Sequence, residues 1–236
     1  MKKYAHFKAL ILSITFLFVS LFLSCFFVES KQVISPLLKY CVLIDAGHGG
    51  IDCGVEGYSK NTCERDINLQ IALKLGHLFE ALDCNVVYTR TDQNGLYEES
   101  AQNKKVDDMK KRIGLIKKNN PNLVISIHQN GYTLPNQRGI MAYYKIGQEA
   151  SLNLANTLQN RFIKNLAFAR KEALAGDYYI LNECDSLCVL IECGFLTNPE
   201  EEVLLTQDSY QQKICFEIFT GCVQYLVNTG EICLEK

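Results

Sequence analysis

The chain has 236 residues, of which 48% are hydrophobic and 21% are charged, and its formal net charge is −2. This length accommodates one large domain or two small ones. The near-neutral charge and the lack of any basic block argue against nucleic-acid binding.

The N-terminal segment combines a basic start with a long apolar run. Lys2, Lys3 and Lys8 precede or open the uncharged stretch 9–28, which is mostly Leu, Ile, Phe and Val. Such a stretch is long enough to cross a bilayer as a helix and longer than the apolar part of a typical signal peptide. We predict that residues 1–30 are a signal or anchor segment, preferably an uncleaved membrane anchor, and that the rest is exported.

The part of the chain that we predict to be exported is slightly acidic and rich in cysteine. Because residues 1–30 contain three Lys and one Glu, the remainder carries 21 basic and 25 acidic residues. Exported proteins often use cysteines for disulfides. However, Cys41, Cys188, Cys215 and Cys222 lie in predicted strands or helices, where a free cysteine behaves as a small hydrophobe. We predict that most thiols stay reduced.

The remainder reads as a tether (31–39), one domain (40–228) and a C-terminal tail (229–236). In chain order, the predicted elements are a strand at 41–45, a loop at 47–62, a helix at 63–82, a strand at 84–89, a helix at 105–119, strands at 123–127 and 139–144, a helix at 149–165, strands at 178–181 and 187–191, a short helix from Pro199 and a last helix at 209–227. This alternation predicts a single α/β domain with a twisted, largely parallel central sheet flanked by helices on both faces.

Three of the predicted strands lead into residues that bind metals or move protons. His48, His128 and Glu192 fall at or just beyond the carboxyl ends of these strands, where sites lie in such folds. Glu64 stands at the start of a helix. Catalytic zinc sites use three nitrogen or oxygen ligands and an open position for water. Two His and two Glu therefore predict a zinc hydrolase with three ligands and one general base.

Each of these residues also has a structural interpretation. His48 lies among glycines and fits an exposed turn, and His128 fits a hydrogen-bonded core histidine. Glu64 closes the sequence Asn61-Thr62-Cys63-Glu64, which matches a helix capping box. Glu192 is the hardest to explain structurally, because a buried carboxylate is costly unless it has a partner or a task.

Four ordered motifs together resemble a known enzyme family. They are Val42–Asp52, Glu64 at a helix start, Ser126–Asn130 and Ile191–Asn198. Over about residues 40–228, the chain resembles the zinc N-acetylmuramoyl-L-alanine amidases of the AmiC-like type. These enzymes hydrolyse the amide bond between N-acetylmuramic acid and L-alanine in peptidoglycan.

The resemblance implies a division of roles among the four residues. His48, Glu64 and His128 would bind one Zn²⁺, and Glu192 would be the catalytic carboxylate. Ala46 stands where many members have proline, which affects the turn and not the ligands.

A closer resemblance is to the germination-specific branch of this family in spore-forming bacteria. It rests on the N-terminal segment joined to a bare catalytic domain, on Asp177–Leu181 and on Glu192–Glu201. That branch implies removal of the peptide in spore cortex, so that a partner muramic acid deacetylase can form muramic-δ-lactam. A general cell-wall amidase, a zinc peptidase and a non-catalytic peptidoglycan-binding module of the same fold remain alternatives.

Five further residues bear on the site. Asp45 and Asn130 are candidates for supporting the ligands or substrate, although Asp45 would equally cap the glycine turn. Contacts of Arg90 and Arg112 with substrate carboxylates or muramic acid groups are an alternative, but surface ion pairing is the more usual role of a lone arginine, and both are left out of the site. Cys193 as a nucleophile is disfavoured, because it should point away from Glu192 on a strand.

Overall fold

The computed structural model describes residues 40–231. The predicted anchor (1–30), the tether (31–39) and residues 232–236 of the tail lie outside this range. Among the described residues, no helix is both long and apolar enough to cross a membrane.

Six strands and six helices alternate along residues 40–231. The strands are β1 (Cys41–Ala46), β2 (Asn85–Tyr88), β3 (Leu123–Asn130), β4 (Met141–Lys145), β5 (Leu174–Gly176) and β6 (Leu187–Phe195). The helices are α1 (Glu64–Glu80), α2 (Lys104–Asn119), α3 (Glu149–Asn165), α4 (Tyr179–Glu183), α5 (Pro199–Leu205) and α6 (Asp208–Asn228).

The strands form one sheet in the order β2-β1-β3-β6-β4-β5. β4 runs antiparallel to β6, and every other neighbouring pair is parallel. The predicted α/β fold with a largely parallel sheet is confirmed.

The sheet separates two hydrophobic cores. Val42 and Ile44 of β1 enter the larger core with α1, α3 and α6, whereas Leu43 enters a smaller core with α2 and α4. Alternate side chains of a strand point to opposite faces, so the apolar central strands supply both cores. Helices therefore cover both faces, as the sequence predicts.

The predicted strand at 178–181 is wrong. Residues Tyr179–Glu183 form α4, and the short edge strand Leu174–Gly176 precedes it. Ile180 and Leu181 are buried in the smaller core. A short apolar run does not distinguish a strand from a buried helical turn by periodicity alone, which explains the error.

Two central strands are longer than predicted. β3 continues to Asn130 and β6 to Phe195. His128 and Glu192 consequently lie within strands instead of after them, and backbone pairing holds both positions.

Candidate metal centre

The register of the central strands brings the predicted site residues together. In the parallel β3–β6 pair, His128 lies opposite Glu192. Directly after β1, the Gly47 amide donates to the Ile127 carbonyl at 3.0 Å. One ligand atom from each of His48, Glu64 and His128 lies within 4.8 Å of the others.

The Glu64 carboxylate is the centre of this group and is 1% exposed. Its Oε2 lies 3.2 Å from His48 Nε2, and its Oε1 lies 3.0 Å from His128 Nδ1. The backbone amides of Val55 and Gln129 donate to the same carboxylate at 2.8 and 2.9 Å. Both oxygens are thus held by the loop before α1 and by β3.

The capping-box prediction for Glu64 is wrong. Cys63 is the N-cap residue without a side-chain cap bond, and Glu64 is the first residue of α1. Its carboxylate turns toward the two histidines and does not bond back to the cap. Asn68, one turn later, donates to Glu64 Oε1 at 3.2 Å and to the Gly47 carbonyl at 3.1 Å.

The charges in this group depend on one another. Burial opposes ionisation of Glu64, but His128 and His48 hold its pKa well below the usual range. Burial likewise opposes protonation of His48, yet Glu64 and Asp52 raise its pKa to about 9. In the absence of a cation, His48 therefore holds a proton that a metal ion would displace.

Asp52 fixes the orientation of His48. Its Oδ2 lies 2.9 Å from His48 Nδ1, while Lys105 Nζ lies 2.8 Å from its Oδ1. His48 has a φ of 62°, a left-handed conformation that is rare outside glycine. A carboxylate behind a metal-binding imidazole selects the tautomer and the ring orientation. The i,i+4 spacing of His48 and Asp52 is visible in the sequence, but this spacing alone does not indicate a role for Asp52.

Two glycines make room for the site. A Cβ at Gly47 would collide with the His128 ring, and one at Gly54 would collide with the Glu64 carboxylate. Gly54 also has a φ of 71°. Only glycine combines this conformation with so close an approach.

The assignment of Arg112 to the surface is wrong. Its side chain is 1% exposed and bonds to Asp45 Oδ1 at 2.6 Å and to Asp108 Oδ2 at 2.5 Å. It also donates to the carbonyls of Ala46 at 2.7 Å and of His48 at 2.5 Å. Arg112 therefore anchors the backbone that carries His48.

Arg90 is also buried, and it hydrogen-bonds to the backbone of the same turn. It donates to the carbonyls of Ala46, Gly47 and Arg65 at 3.0, 2.9 and 2.7 Å. A lone arginine after a strand gives no sign of such a role. For Arg112, the spacing to Ile113 and Ile116 on the buried face of α2 was an available signal.

Asp45 and Asn130 occupy different surroundings. Asp45 accepts from Arg112 and, at 2.6 Å, from Ser126 Oγ, so its side chain supports the Arg112 anchor and does not cap the glycine turn. Asn130 ends β3, and its Oδ1 accepts from the Gly131 amide at 2.9 Å. The role of either residue toward substrate stays a prediction.

Glu192 lies in β6 between His128 of β3 and Met141 of β4. Among residues 40–231, its buried Oε2 has no hydrogen-bond partner. Burial raises the pKa of Glu192 to about 7, although His128 and His48 lower it. A buried carboxylate oxygen without a partner, on a residue in register with His128, suits proton transfer near neutral pH.

A disulfide between Cys53 and Cys63 ties the loop that carries Asp52 to the start of α1. The Arg65 amide adds a hydrogen bond to the Cys53 carbonyl at 3.1 Å. The other described cysteines are not disulfide-bonded, and their redox state stays a prediction: Cys41, Cys84, Cys184, Cys188, Cys193, Cys215 and Cys222. Burial raises the pKa of the Cys193 thiol well above its usual range, which opposes a nucleophilic role.

Comparison with known proteins gives the arrangement a family. Residues 42–224 match the family model described as N-acetylmuramoyl-L-alanine amidase. The chain belongs to this amidase family. The germination-specific N-acetylmuramoyl-L-alanine amidase of Bacillus subtilis strain 168 is 28% identical over 200 residues, which cover 83% of this chain and 84% of that protein.

Two solved amidase structures are also similar to this chain. The CwlD amidase of Clostridioides difficile, determined in complex with the GerS lipoprotein, has a TM-score of 0.77 and 35% identity, covering 80% of this chain and 99% of that one. The catalytic domain of CwlV, an amidase from Bacillus (Paenibacillus) polymyxa, has a TM-score of 0.70 and 29% identity over 79% and 98% of the chains. The predicted family is confirmed.

The anchor formed by Arg112 in this amidase can be tested by stability. Arg112→Met should lower the free energy of unfolding by about 3–5 kcal/mol, because it leaves the buried carboxylates of Asp45 and Asp108 unpaired. Lys110→Met on the exposed face of α2 should change it by less than about 0.5 kcal/mol. Urea unfolding measures both, and equal stability of the two variants would contradict the anchoring role.

Metal binding should release a proton. Because the pKa of His48 is raised to about 9, zinc added to metal-free protein near neutral pH must displace the His48 proton. Calorimetry in buffers of different ionisation enthalpy should show release of about one proton, with zinc affinity rising as the pH approaches 9. Asp52→Asn should release less, and a buffer-independent heat in wild-type protein would refute the displacement.

Proposed function

We propose that this amidase is zinc-dependent and hydrolyses the bond between N-acetylmuramic acid and L-alanine in peptidoglycan, acting in spore cortex. One observation carries the zinc-dependent hydrolysis: in a chain of this family, two imidazoles and a carboxylate converge beside a second buried carboxylate, one oxygen of which has no hydrogen-bond partner among residues 40–231.

The residues present fit a zinc ion. Two histidines and one glutamate are a donor set used by catalytic zinc sites, which keep a further position for water or substrate. The Glu64 carboxylate, buried between His48 and His128, has the negative charge that a cation requires. When bound, zinc would polarise the amide carbonyl and make water more acidic.

Glu192 supplies the proton transfers. Its carboxylate takes a proton from the attacking water and returns it to the departing L-alanine amine. Its position opposite His128 keeps these transfers next to the metal. Asp52 and Arg112 act through His48. Asp52 orients its ring, and Arg112 holds its backbone carbonyl.

The proposed place of action is the spore cortex, outside the cytoplasmic membrane. The likeness to a germination-specific amidase of Bacillus subtilis and to the CwlD amidase of Clostridioides difficile supports this place. There the enzyme would remove the stem peptide so that a muramic acid deacetylase can form muramic-δ-lactam. Membrane attachment through residues 1–30 is part of the same proposal.

The proposed proton carrier and a proposed metal ligand should differ in their response to substitution. Glu192→Gln should retain zinc and lose turnover by about a hundredfold or more, because it removes the proton carrier. His128→Ala should instead lower the zinc content of the purified protein. Elemental analysis and rate measurements on both variants separate the roles; full activity of Glu192→Gln, or unchanged zinc in His128→Ala, would reject the corresponding assignment.

Muropeptide mass spectrometry tests the reaction itself. Purified protein incubated with peptidoglycan should release stem peptides and leave the glycan intact. Peptide–peptide cleavage would indicate a peptidase, and the absence of products with zinc added would indicate a binding module. In spores of a deletion strain, loss of muramic-δ-lactam would support the cortex role, whereas chain-separation defects alone would indicate a general cell-wall amidase.

A further inference from the structure

Two cavities adjoin the metal centre and share one residue, Asp52. The smaller, about 280 Å³, lies against His48 and His128. The larger, about 970 Å³, is an open groove between the loop around Cys53–Lys60 and the segment after β3. Asp52 lines both cavities and contacts His48, so the groove approaches the candidate ligands at Asp52.

The open groove presents two exposed aromatic rings. Tyr58 is 56% exposed and Tyr132 is 54% exposed, and both line the groove. Their backbones are held firmly, since the Tyr58 amide donates to the Leu196 carbonyl at 2.8 Å and the Tyr132 amide donates to Thr197 Oγ1 at 3.0 Å. Exposed tyrosines on a fixed backbone offer large amphipathic surfaces at a small entropic cost, which is typical of binding sites.

The smaller cavity has a different character. Lys104 and Lys105 line it together with the apolar side chains of Met109 and Ile180. The ammonium groups pair with Glu99 and Asp52, but each has three donors and retains capacity for another carboxylate. Asp45, Asp52 and Asp108 also line this cavity, so its charged groups are of both signs and suit a short peptide that carries carboxylates and an ammonium group.

We propose that the groove between Tyr58 and Tyr132 binds the glycan strand of the substrate, with sugar rings packed on the two tyrosines, while the stem peptide enters the smaller cavity. This inference rests on the proposed function, because the scissile amide joins these two halves and must lie near Asp52, which lines both cavities. A glycan strand continues beyond the reacting sugar in both directions, so it requires an open groove. A stem peptide ends after a few residues, so the smaller and less open cavity suits it.

Binding of the separated halves tests the assignment without turnover. Titrations use the full zinc-loaded protein with peptide-free glycan strands and with free stem peptide. Tyr58→Ala and Tyr132→Ala should each weaken glycan binding by about three- to tenfold and leave peptide binding unchanged. Tyr132→Trp should retain glycan affinity because it keeps an aromatic surface. Phe216→Ala, which removes a ring that is 54% exposed on α6 away from both cavities, serves as the matched control and should change neither affinity.

The outcomes separate this inference from the proposed function. Unchanged glycan affinity in both tyrosine variants would overturn the groove assignment, as would weaker peptide binding in its place. If wild-type protein binds glycan through the tyrosines but fails to cleave the amide, the groove stands and the amidase proposal fails. If it cleaves the amide while the tyrosines are dispensable for glycan binding, the amidase proposal stands and the groove assignment fails.

Discussion

The buried carboxylate of Glu64 is the constraint on which the rest of the site depends. It receives backbone amides from the loop before α1 and from β3, and it lies between two imidazoles. A charge at this depth is stable only when it is matched by hydrogen bonds and opposite charge. The protein therefore holds a helix start, a loop and a strand end together around one ion pair, and the same geometry offers three ligands to a cation.

Glu64 and Glu192 show how one fold uses two carboxylates differently. Glu64 is surrounded by donors and its pKa is low, whereas Glu192 has a buried oxygen without a described partner and its pKa rises to about 7. Environments that lower the pKa of one acid and raise the pKa of another separate their roles. The first stays charged and can bind a cation, and the second can exchange protons. Their positions follow from secondary structure: Glu64 heads a helix, and Glu192 is a register partner of His128.

Local patterns were sufficient to predict the alternating fold. They also single out His48, Glu64, His128 and Glu192, which lie near the ends of apolar strands or at a helix start, whereas the roles of these four residues rest on the family resemblance and stay predictions. The supporting contacts were beyond such patterns. Arg112 reaches Asp45 across 67 positions, and Arg90 reaches Ala46 across 44. Nothing local indicates that Arg90, which follows a strand, folds inward. The spacing of Arg112 to Ile113 and Ile116 indicates the buried face of its helix but not the carboxylates that it pairs with. The helix at Tyr179–Glu183 was missed for the related reason that burial, and not periodicity, decides the structure of a five-residue apolar segment.

The bond between Cys53 and Cys63 closes a loop whose two ends adjoin Asp52 and Glu64. Cytosolic thiols are kept reduced, whereas disulfides persist in oxidising surroundings. In a reducing compartment the segment from Asp52 to Glu64 would rely on hydrogen bonds alone, and the His48 imidazole would have a less firmly placed carboxylate behind it.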